Sequence, residues 1–206
     1  MEEILMRVRL ALTLALRDQE QSVRTEAAQA LERIEGVSAL ERLAARAESV
    51  DTPEALRAIY AVANIGGEKA FAILLKALYS PAADVRAAAV KLLAPSRDPR
   101  VAEHFIQTLD DPSPDVKLLI LEALGDFRDP RLLEVLTPKL QQSSGPMREA
   151  LITALGRLGD TRAIEMLLPY LTDGAPTIRQ RVAEALGHLG VRAAEVGEHK
   201  EISPPA

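Results

Sequence analysis

The sequence repeats itself every 31 residues, and this period constrains the fold more than any other feature. One column of the repeat is apolar in every copy and advances by 31 positions at each step: Leu31, Val62, Leu93, Leu124, Leu155 and Leu186. A second column behaves in the same way: Leu12, Leu43, Leu74, Phe105, Leu136 and Leu167. A fixed period of this length without insertions is typical of repeat proteins, in which each copy is one supersecondary unit. We therefore predict an array of structural repeats.

Each repeat is predicted to contain two antiparallel helices, helix A and then helix B, joined by a short turn. Apolar residues of one helix A recur at helical spacing at Val116, Ile120, Ala123, Leu124 and Phe127. Ser113-Pro114 is a helix-start signal for this helix A, and Asp98-Pro99 and Asp129-Pro130 are start signals for two B helices. Because one pair cannot bury both of its apolar faces, consecutive pairs must stack.

The predicted fold is all-α, a right-handed α-α superhelix (α-solenoid) of 31-residue antiparallel helix pairs. The register gives one domain over residues 1–196, with an N-terminal half repeat, five full repeats and a C-terminal half repeat. After this point the pattern fails, because Glu198 occupies the column of Leu167. We predict that residues 197–206 form a flexible tail.

Composition narrows the classes of function. The 206 residues include no cysteine and no tryptophan, and aromatic residues make up 3%. These values disfavour a disulfide scaffold, a thiolate metal site, a cysteine nucleophile and an aromatic-stacking nucleic-acid binder. The net charge of −5 gives no overall attraction to phosphate backbones.

The apolar run at residues 10–16 resembles the hydrophobic core of a signal peptide. However, Glu2 and Glu3 offset Arg7 and Arg9, and a charged segment follows where a cleavage site would stand. No apolar run has the length of a membrane span. We interpret the run as part of the mature array and expect a cytoplasmic protein that does not insert into a membrane.

Three segments carry a resemblance to a known family. They are Asp111-Pro112 before Asp115-Val116-Lys117, residues 154–163 (ALGRLGDTRA) and residues 184–190 (EALGHLG). They resemble HEAT-like repeats of the phycobilisome (PBS) lyase type, over about residues 5–192. The resemblance implies an armadillo-like helical solenoid and, for most of the family, a protein-binding scaffold with scattered enzymes among its members.

A basic column lies near the start of helix A, and we call it the arginine column: Arg24, Arg86, Lys117, Arg148 and Arg179. A basic stripe can bind phosphate. The resemblance to HEAT repeats implies instead that these side chains pair with aspartates in the turns, Asp98, Asp129 and Asp160. Recurrence in nearly every copy favours this structural role, because a binding site seldom needs the same residue in each repeat.

Helix B carries a second charged pattern, which the resemblance places on the concave face of the solenoid. Arginines are followed three residues later by glutamates, in the pairs Arg100–Glu103, Arg131–Glu134 and Arg162–Glu165. Neighbours at this spacing on a helix attract one another. The face is therefore predicted to be charged but self-neutralised, which disfavours DNA or RNA as a partner.

The outward side of helix A is the main candidate for a binding surface. At this side the middle repeats are apolar where the terminal repeats are polar. The apolar residues are Leu56, Tyr60, Ala87, Leu118 and Leu119, which we call the outer patch. An exposed apolar patch usually marks a protein contact. The alternatives are that superhelical twist or an oligomer buries these residues, or that they are scattered surface residues.

Pro95 interrupts the pattern in the middle of the chain. The other copies end helix A with an apolar residue, whereas this copy has Ser96 after the proline. Because proline disfavours helical geometry at the preceding residue, this helix A is predicted to end about one turn early. Pro138 and Pro169 recur at one position of helix B and are predicted to produce kinks.

Signals for catalysis are weak. The histidines are His104, at a packed or surface position, His188, in an exposed column, and His199, in the predicted tail beside two glutamates. HEAT-like deoxyhypusine hydroxylase carries paired His-Glu dipeptides, and this chain has only the reversed Glu103-His104 and Glu198-His199. We predict no catalytic residue, no metal site and no cofactor.

These observations predict a non-catalytic interaction scaffold or adaptor that binds an unidentified protein through the outer patch or the concave face. A bilin lyase-like or chaperone-like factor, suggested by the family resemblance, is the first alternative. A structural or self-associating solenoid, which forms a homo-oligomer, is the second.

Overall fold

A computed structural model describes the backbone of residues 2–201 and most of their side chains, apart from those of residues 2, 32, 37 and 195–201. The described chain is helical and contains no β-strand. It divides into two compact units, which we call the N-terminal unit (Met1–Ala77) and the C-terminal unit (Leu78–Ala206). The predicted all-α repeat architecture is confirmed.

The N-terminal unit contains four helices, each packed on the next in the chain. They are α1 (Glu2–Ala15), α2 (Gln21–Ala47), α3 (Thr52–Ile65) and α4 (Gly67–Ala77). Helix α1 leaves much of its apolar surface exposed, including Met6, Leu10 and Leu14.

The C-terminal unit continues the alternation of A and B helices. Its helices are α5 (Ala83–Leu93), α6 (Pro99–Gln107), α7 (Pro114–Gly125), α8 (Arg131–Gln142), α9 (Gly145–Leu158), α10 (Ala163–Leu167) and α11 (Pro176–Glu201). The A helices α5, α7, α9 and α11 pack in sequence on one another, and α8 and α10 pack beside them. Its core is formed by the repeat columns, and Phe105, Leu124, Leu136 and Leu155 are each fully buried.

The helix starts follow the sequence period. Six helices begin 31 residues apart, at Gln21, Thr52, Ala83, Pro114, Gly145 and Pro176. The turn between helix A and helix B also recurs in register, since one position has positive φ in four repeats: Gly66 (70°), Arg97 (50°), Arg128 (52°) and Gly159 (74°). Glycine adopts this conformation without strain, and at Arg97 and Arg128 the following Asp-Pro dipeptide favours a break in the helix.

The first repeat differs from the predicted pair, because α2 runs without interruption from Gln21 to Ala47. The position equivalent to Gly66 is Glu35, and no Asp-Pro follows it. Because glutamate is a good helix former, helical hydrogen bonding continues through the segment although Gly36 follows. The predicted turn between the first A and B helices is therefore wrong.

Three prolines, Pro95, Pro138 and Pro169, lie within or next to helix ends or helix interiors of the C-terminal unit. Helix α5 ends at Leu93 and passes into a 3-10 turn, Ala94–Ser96. In register this is about one turn before the ends of α3 and α9, as predicted from Pro95, but close to the end of α7. Pro138 lies inside α8, whereas α10 ends at Leu167 and passes into a 3-10 segment, Leu168–Thr172, that contains Pro169.

Helix α11 continues to Glu201, so the backbone of residues 197–201 in the predicted tail is helical. Residues 202–206 of that tail lie outside the described residues.

Two glycines allow the A helices of the C-terminal unit to approach closely. A Cβ added to Gly156 of α9 would lie 2.6 Å from Ala185 Cβ and 2.8 Å from Ala185 Cα in α11. A Cβ added to Gly125 of α7 would lie 3.1 Å from Ala154 Cα. The contacts at Gly156 leave no room for a Cβ, so close helix packing requires glycine there. At Gly125 the neighbouring helix would have to move by a few tenths of an ångström.

Candidate functional site

The arginine column stabilises the loops that precede the A helices. Arg86 is buried and donates to the carbonyls of Ser80 (2.8 Å) and Pro81 (3.1 Å) in its own loop. It also donates to both carboxylate oxygens of Asp111 in the following loop, at 2.7 and 2.8 Å. These charge-assisted bonds hold the pKa of Asp111 below its ordinary value.

The acidic partners of this column differ from the predicted ones. Arg86 pairs with Asp111 and Arg148 with Asp173, each 25 residues later in the chain. Asp98, Asp129 and Asp160 pair instead with an arginine two residues later, in the ion pairs Asp98–Arg100, Asp129–Arg131 and Asp160–Arg162. Each of these aspartates also accepts a bond from the backbone N–H of its arginine, which places it at the start of helix B and away from the column.

The predicted capping of α7 also differs in detail. Ser113 stands at the N-cap position, but its side chain makes no capping bond. Asp111 takes this role by accepting a hydrogen bond from Ser113 N–H at 2.8 Å. The same carboxylate thus organises the loop and neutralises Arg86.

The residues assigned to the concave face form a charged column on the B helices. Arg131 reaches back to Glu103 of the preceding B helix at 3.7 Å, instead of forward to Glu134. The pKa values of Asp129 and Asp160 are lowered, because Arg131 and Arg162 donate side-chain hydrogen bonds to these carboxylates. Glu134 and Glu165 are exposed. The column therefore alternates in sign and presents no continuous basic stripe in the C-terminal unit.

The outer patch divides between the two units. In the N-terminal unit Tyr60 is 48% exposed and Leu56 is half-buried, and both lie on α3. In the C-terminal unit Ala87, Leu118 and Leu119 are half-buried. The structure thus leaves part of each of these side chains accessible.

Leu118 lines a groove of about 300 Å³ beside α7 and α9, which we call the outer groove. Its apolar lining includes Pro146, Ala150 and Ala154 of α9. The charged residues at the groove are Glu122, Glu149, Arg157 and Arg181. Ala87 and Leu119 do not line the groove.

Sequence analysis missed the α9 side of this groove. Its column positions at Glu149 and Ala150 are polar or small, so they do not extend an apolar stripe. The signal that could have found them is the small side chains of Ala150 and Ala154 beside the larger Leu118, because small residues next to a large one leave a depression.

Another contact absent from the sequence analysis involves Tyr79, which is 50% exposed. Its hydroxyl lies 2.8 Å from His104 Nδ1 and donates to Gln107 Oε1 at 2.9 Å. The two rings meet edge to face, 5.8 Å apart. His104 is therefore tied into a surface contact of the C-terminal unit.

No cluster of three or more His, Asp or Glu side chains suited to a metal ion is present in the part of the chain that the structure describes. The side chain of His199 lies outside that part. No helix within the described residues is long and apolar enough to cross a membrane.

Comparison with known proteins finds a family match for part of the chain. Residues 102–187 match the HEAT repeats family. This match confirms, over these residues, the resemblance found in the sequence. No curated protein sequence matches the chain significantly.

Solved structures share the helical-repeat fold. The complex of CpcE and CpcF of phycocyanin lyase from Nostoc sp. PCC7120 is 21% identical, with a TM-score of 0.59 over 73% of this chain and 64% of that chain. The E. coli protein YibA is 20% identical, with a TM-score of 0.59 over 92% and 70% of the two chains. A designed armadillo repeat protein in complex with the peptide (KR)4 is 15% identical, with a TM-score of 0.50 over 87% and 98%. This chain thus spans less than two thirds of the matched lyase chain, and these likenesses show the fold alone.

Proposed function

We propose that the chain is a non-catalytic protein-interaction module that binds its partner through the outer groove. The observation that carries this proposal is the partly exposed Leu118 at a largely apolar groove about 300 Å³ in volume. A groove of this kind accepts an apolar anchor side chain, which is the usual energetic centre of a protein contact.

Charge at the groove indicates the chemistry of the partner. Arg157 is compensated by Asp126 at 2.7 Å, and Arg181 by Glu184 at 3.2 Å. The carboxylate of Glu149 has no ion pair with another described side chain, so it is the uncompensated charge at this groove. We therefore propose a partner segment with an apolar side chain next to a lysine or arginine.

The test combines affinity capture from the native cell with site-directed crosslinking. Leu118→Glu should remove the partner, because it places a charge at the apolar lining of the groove. Leu168→Glu is the matched control, since Leu168 is 42% exposed and does not line the groove. Tyr60→Ala tests the part of the outer patch in the N-terminal unit.

The natural chain has no cysteine, so Ala150→Cys gives one unique attachment point for a photocrosslinker. Crosslinking of the captured partner at this position supports the outer groove. A partner list that is identical for wild type, Leu118→Glu and Leu168→Glu rejects the groove as the binding surface.

The first alternative, a bilin lyase-like or chaperone-like factor, follows from the family resemblance. Mixing the purified protein with bilin tests it directly, because pigment binding changes the visible absorption spectrum. An unchanged spectrum with an intact helical fold removes this alternative.

A second candidate, self-association, is favoured by the exposed apolar surface of α1. Met6 and Leu14 are 67% and 62% exposed, and Leu10 between them is 64% exposed. These residues follow helical spacing and form one stripe. Light scattering should show a dimer that Leu10→Glu converts to a monomer. A wild-type monomer at high concentration contradicts this candidate.

A further inference from the structure

We infer that a pocket beside the loop between α8 and α9 is a binding site for a carboxylate carried on a short aliphatic group. This loop pocket has a volume of about 230 Å³ and is lined by Lys117, Gln142 and Ser143 among its polar residues. It lies entirely within the C-terminal unit. The inference is independent of the proposed function, since the loop pocket and the outer groove have no lining residue in common.

The other repeats show what normally occupies this position. The residue three positions before each of the other A helices accepts a hydrogen bond from the backbone N–H two residues later: Asp18 (2.9 Å), Ser49 (3.2 Å), Ser80 (3.3 Å), Asp111 (2.8 Å) and Asp173 (2.9 Å). Members of the arginine column then donate to two loop carbonyls five and six residues earlier, as Arg24, Arg86 and Arg179 do. Where the following loop has an aspartate, the arginine also pairs with it, as in Arg86–Asp111.

The repeat that begins at α7 departs from this arrangement at both positions. Lys117 replaces the arginine, and Gln142, the last residue of α8, replaces the aspartate or serine that stands three residues before the next A helix. Within the described residues, no hydrogen bond to the Gln142 side chain is present. The replacement of a guanidinium and its carboxylate by two groups that do not join accounts for the open volume.

The electrostatics of the loop pocket favour an anion. Two lysines and one aspartate line the pocket, and Lys139 is already paired with that aspartate, Asp110, at 2.5 Å. Lys117 has no hydrogen bond or ion pair from its ammonium group to another described side chain. Asp111 interacts with Lys117 through space, but two nitrogens of Arg86 already neutralise its carboxylate. A carboxylate bound to Lys117 would complete the missing ion pair of this repeat.

The remaining lining residues favour an aliphatic group on that carboxylate. Leu109, Leu121 and Leu151 are nearly fully buried at the pocket, and Met147 is half-buried. An apolar cavity of about 150 Å³ holds benzene. The loop pocket therefore has room for a branched aliphatic acid of about eight non-hydrogen atoms, such as 4-methylpentanoate.

The test is NMR titration of the full chain with 4-methylpentanoate and with its uncharged analogue 4-methylpentanamide. We expect shifts centred on Leu121, Met147 and Leu151 and a dissociation constant on the order of 1 mM, typical of so small a ligand. The amide should bind about 10-fold more weakly or not at all, because it cannot pair with Lys117. Equal binding of the acid and the amide overturns the inference.

Two variants separate the loop pocket from general charge effects. Lys117→Met should weaken acid binding about 10-fold or more. Lys91→Met is the matched control, since it removes one exposed lysine outside the pocket and should leave binding unchanged. The inference is overturned if both variants weaken acid binding equally, or if neither variant weakens it.

The double variant K117R/Q142D provides a test in which loss of acid binding is not expected to come from loss of stability. It restores the residue types of Arg86 and Asp111, so it should raise the melting temperature by about 2–4 °C and abolish binding of the acid. Retention of binding in a folded K117R/Q142D protein contradicts the inference.

The carboxylate has two natural sources, a free small acid and the C-terminus of a polypeptide. Titration with the tripeptide Gly-Gly-Leu distinguishes them. Tighter binding of the tripeptide than of 4-methylpentanoate indicates a polypeptide terminus, and tighter binding of 4-methylpentanoate indicates a small acid. Failure of both ligands to bind at 50-fold above the expected dissociation constant, about 50 mM, rejects the site.

Discussion

At the scale of single residues, the buried pair Arg86–Asp111 is the contact with the largest expected effect on stability. Asp111→Asn keeps the acceptor for Ser113 N–H but removes the charge that neutralises buried Arg86. We expect a loss of about 3–5 kcal/mol in the free energy of unfolding, measured by urea denaturation. Asp126→Asn is the control, because the Asp126–Arg157 pair is exposed and should contribute about 1 kcal/mol or less.

The same pair predicts a dependence on pH. The pKa of Asp111 is lowered in the folded state by the Arg86 guanidinium, so its contribution to stability is present above the ordinary value of 3.8. It is lost as the pH falls through the lower, folded-state pKa. The difference in unfolding free energy between wild type and Asp111→Asn should be constant above about pH 5 and shrink below 3.8. A difference that stays constant down to acid unfolding would exclude this pair as its source.

A third prediction at this scale compares two glycines one repeat apart. Gly156→Ala places a Cβ 2.6 Å from Ala185 Cβ and should destabilise the chain by about 1–3 kcal/mol. Gly187→Ala, in the equivalent position of α11, meets nothing within 4 Å and should stabilise it by about 0.5–1 kcal/mol. Thermal unfolding followed by circular dichroism measures both, and a change of the same sign in the two variants contradicts the packing argument.

At the scale of elements, the sequence predicts the helices of the array well, because a period of 31 and helical apolar spacing leave few alternatives. It does not predict the continuous helix α2, since the repeat register puts a turn between helix A and helix B in every full repeat, whereas Gln21–Ala47 is uninterrupted. It also misassigns the partners of the arginine column. The informative spacing is 25 residues, from Arg86 to Asp111 and from Arg148 to Asp173, and only the loop geometry shows why that spacing matters.

The candidate site was predictable to a smaller extent. Leu118 and Tyr60 could be placed on the outer side of helix A from the helical wheel. The outer groove could not, because its depth depends on how closely α7 and α9 approach at Gly125. The loop pocket could not be predicted either, since it results from a missing contact.

Pro95 gives a prediction for the element α5. The α-helix ends at Leu93 and is followed by the 3-10 turn Ala94–Ser96, where hydrogen-bond geometry is poorer. Amide hydrogen exchange should be faster at residues 92–98 than at the equivalent residues 123–129. Pro95→Ala adds a backbone donor and should slow exchange there. Exchange in the wild type that is equally slow in both segments contradicts a softened helix end.

At the scale of the whole molecule, burial is unequal along the array. In the C-terminal unit the repeat columns are fully buried, with Phe105, Leu136 and Leu167 at 0% exposure. In the first helices of the N-terminal unit, Leu12 and Leu43 of the same column are only partly buried. Because stability in a repeat array is the sum of local terms, each unit has its own resistance to unfolding.

This inequality predicts that the chain unfolds in more than one step. In urea, amides of residues 5–47 should open at lower denaturant concentration than those of residues 114–189, as measured by native-state hydrogen exchange. Leu136→Ala should cost about 2–5 kcal/mol in the second transition, because Leu136 is fully buried. Leu43→Ala, in the same column, should act on the first transition with a smaller effect. If all amides instead converge on one common unfolding transition, the array behaves as a single cooperative body and the independent contribution of its first helices is refuted.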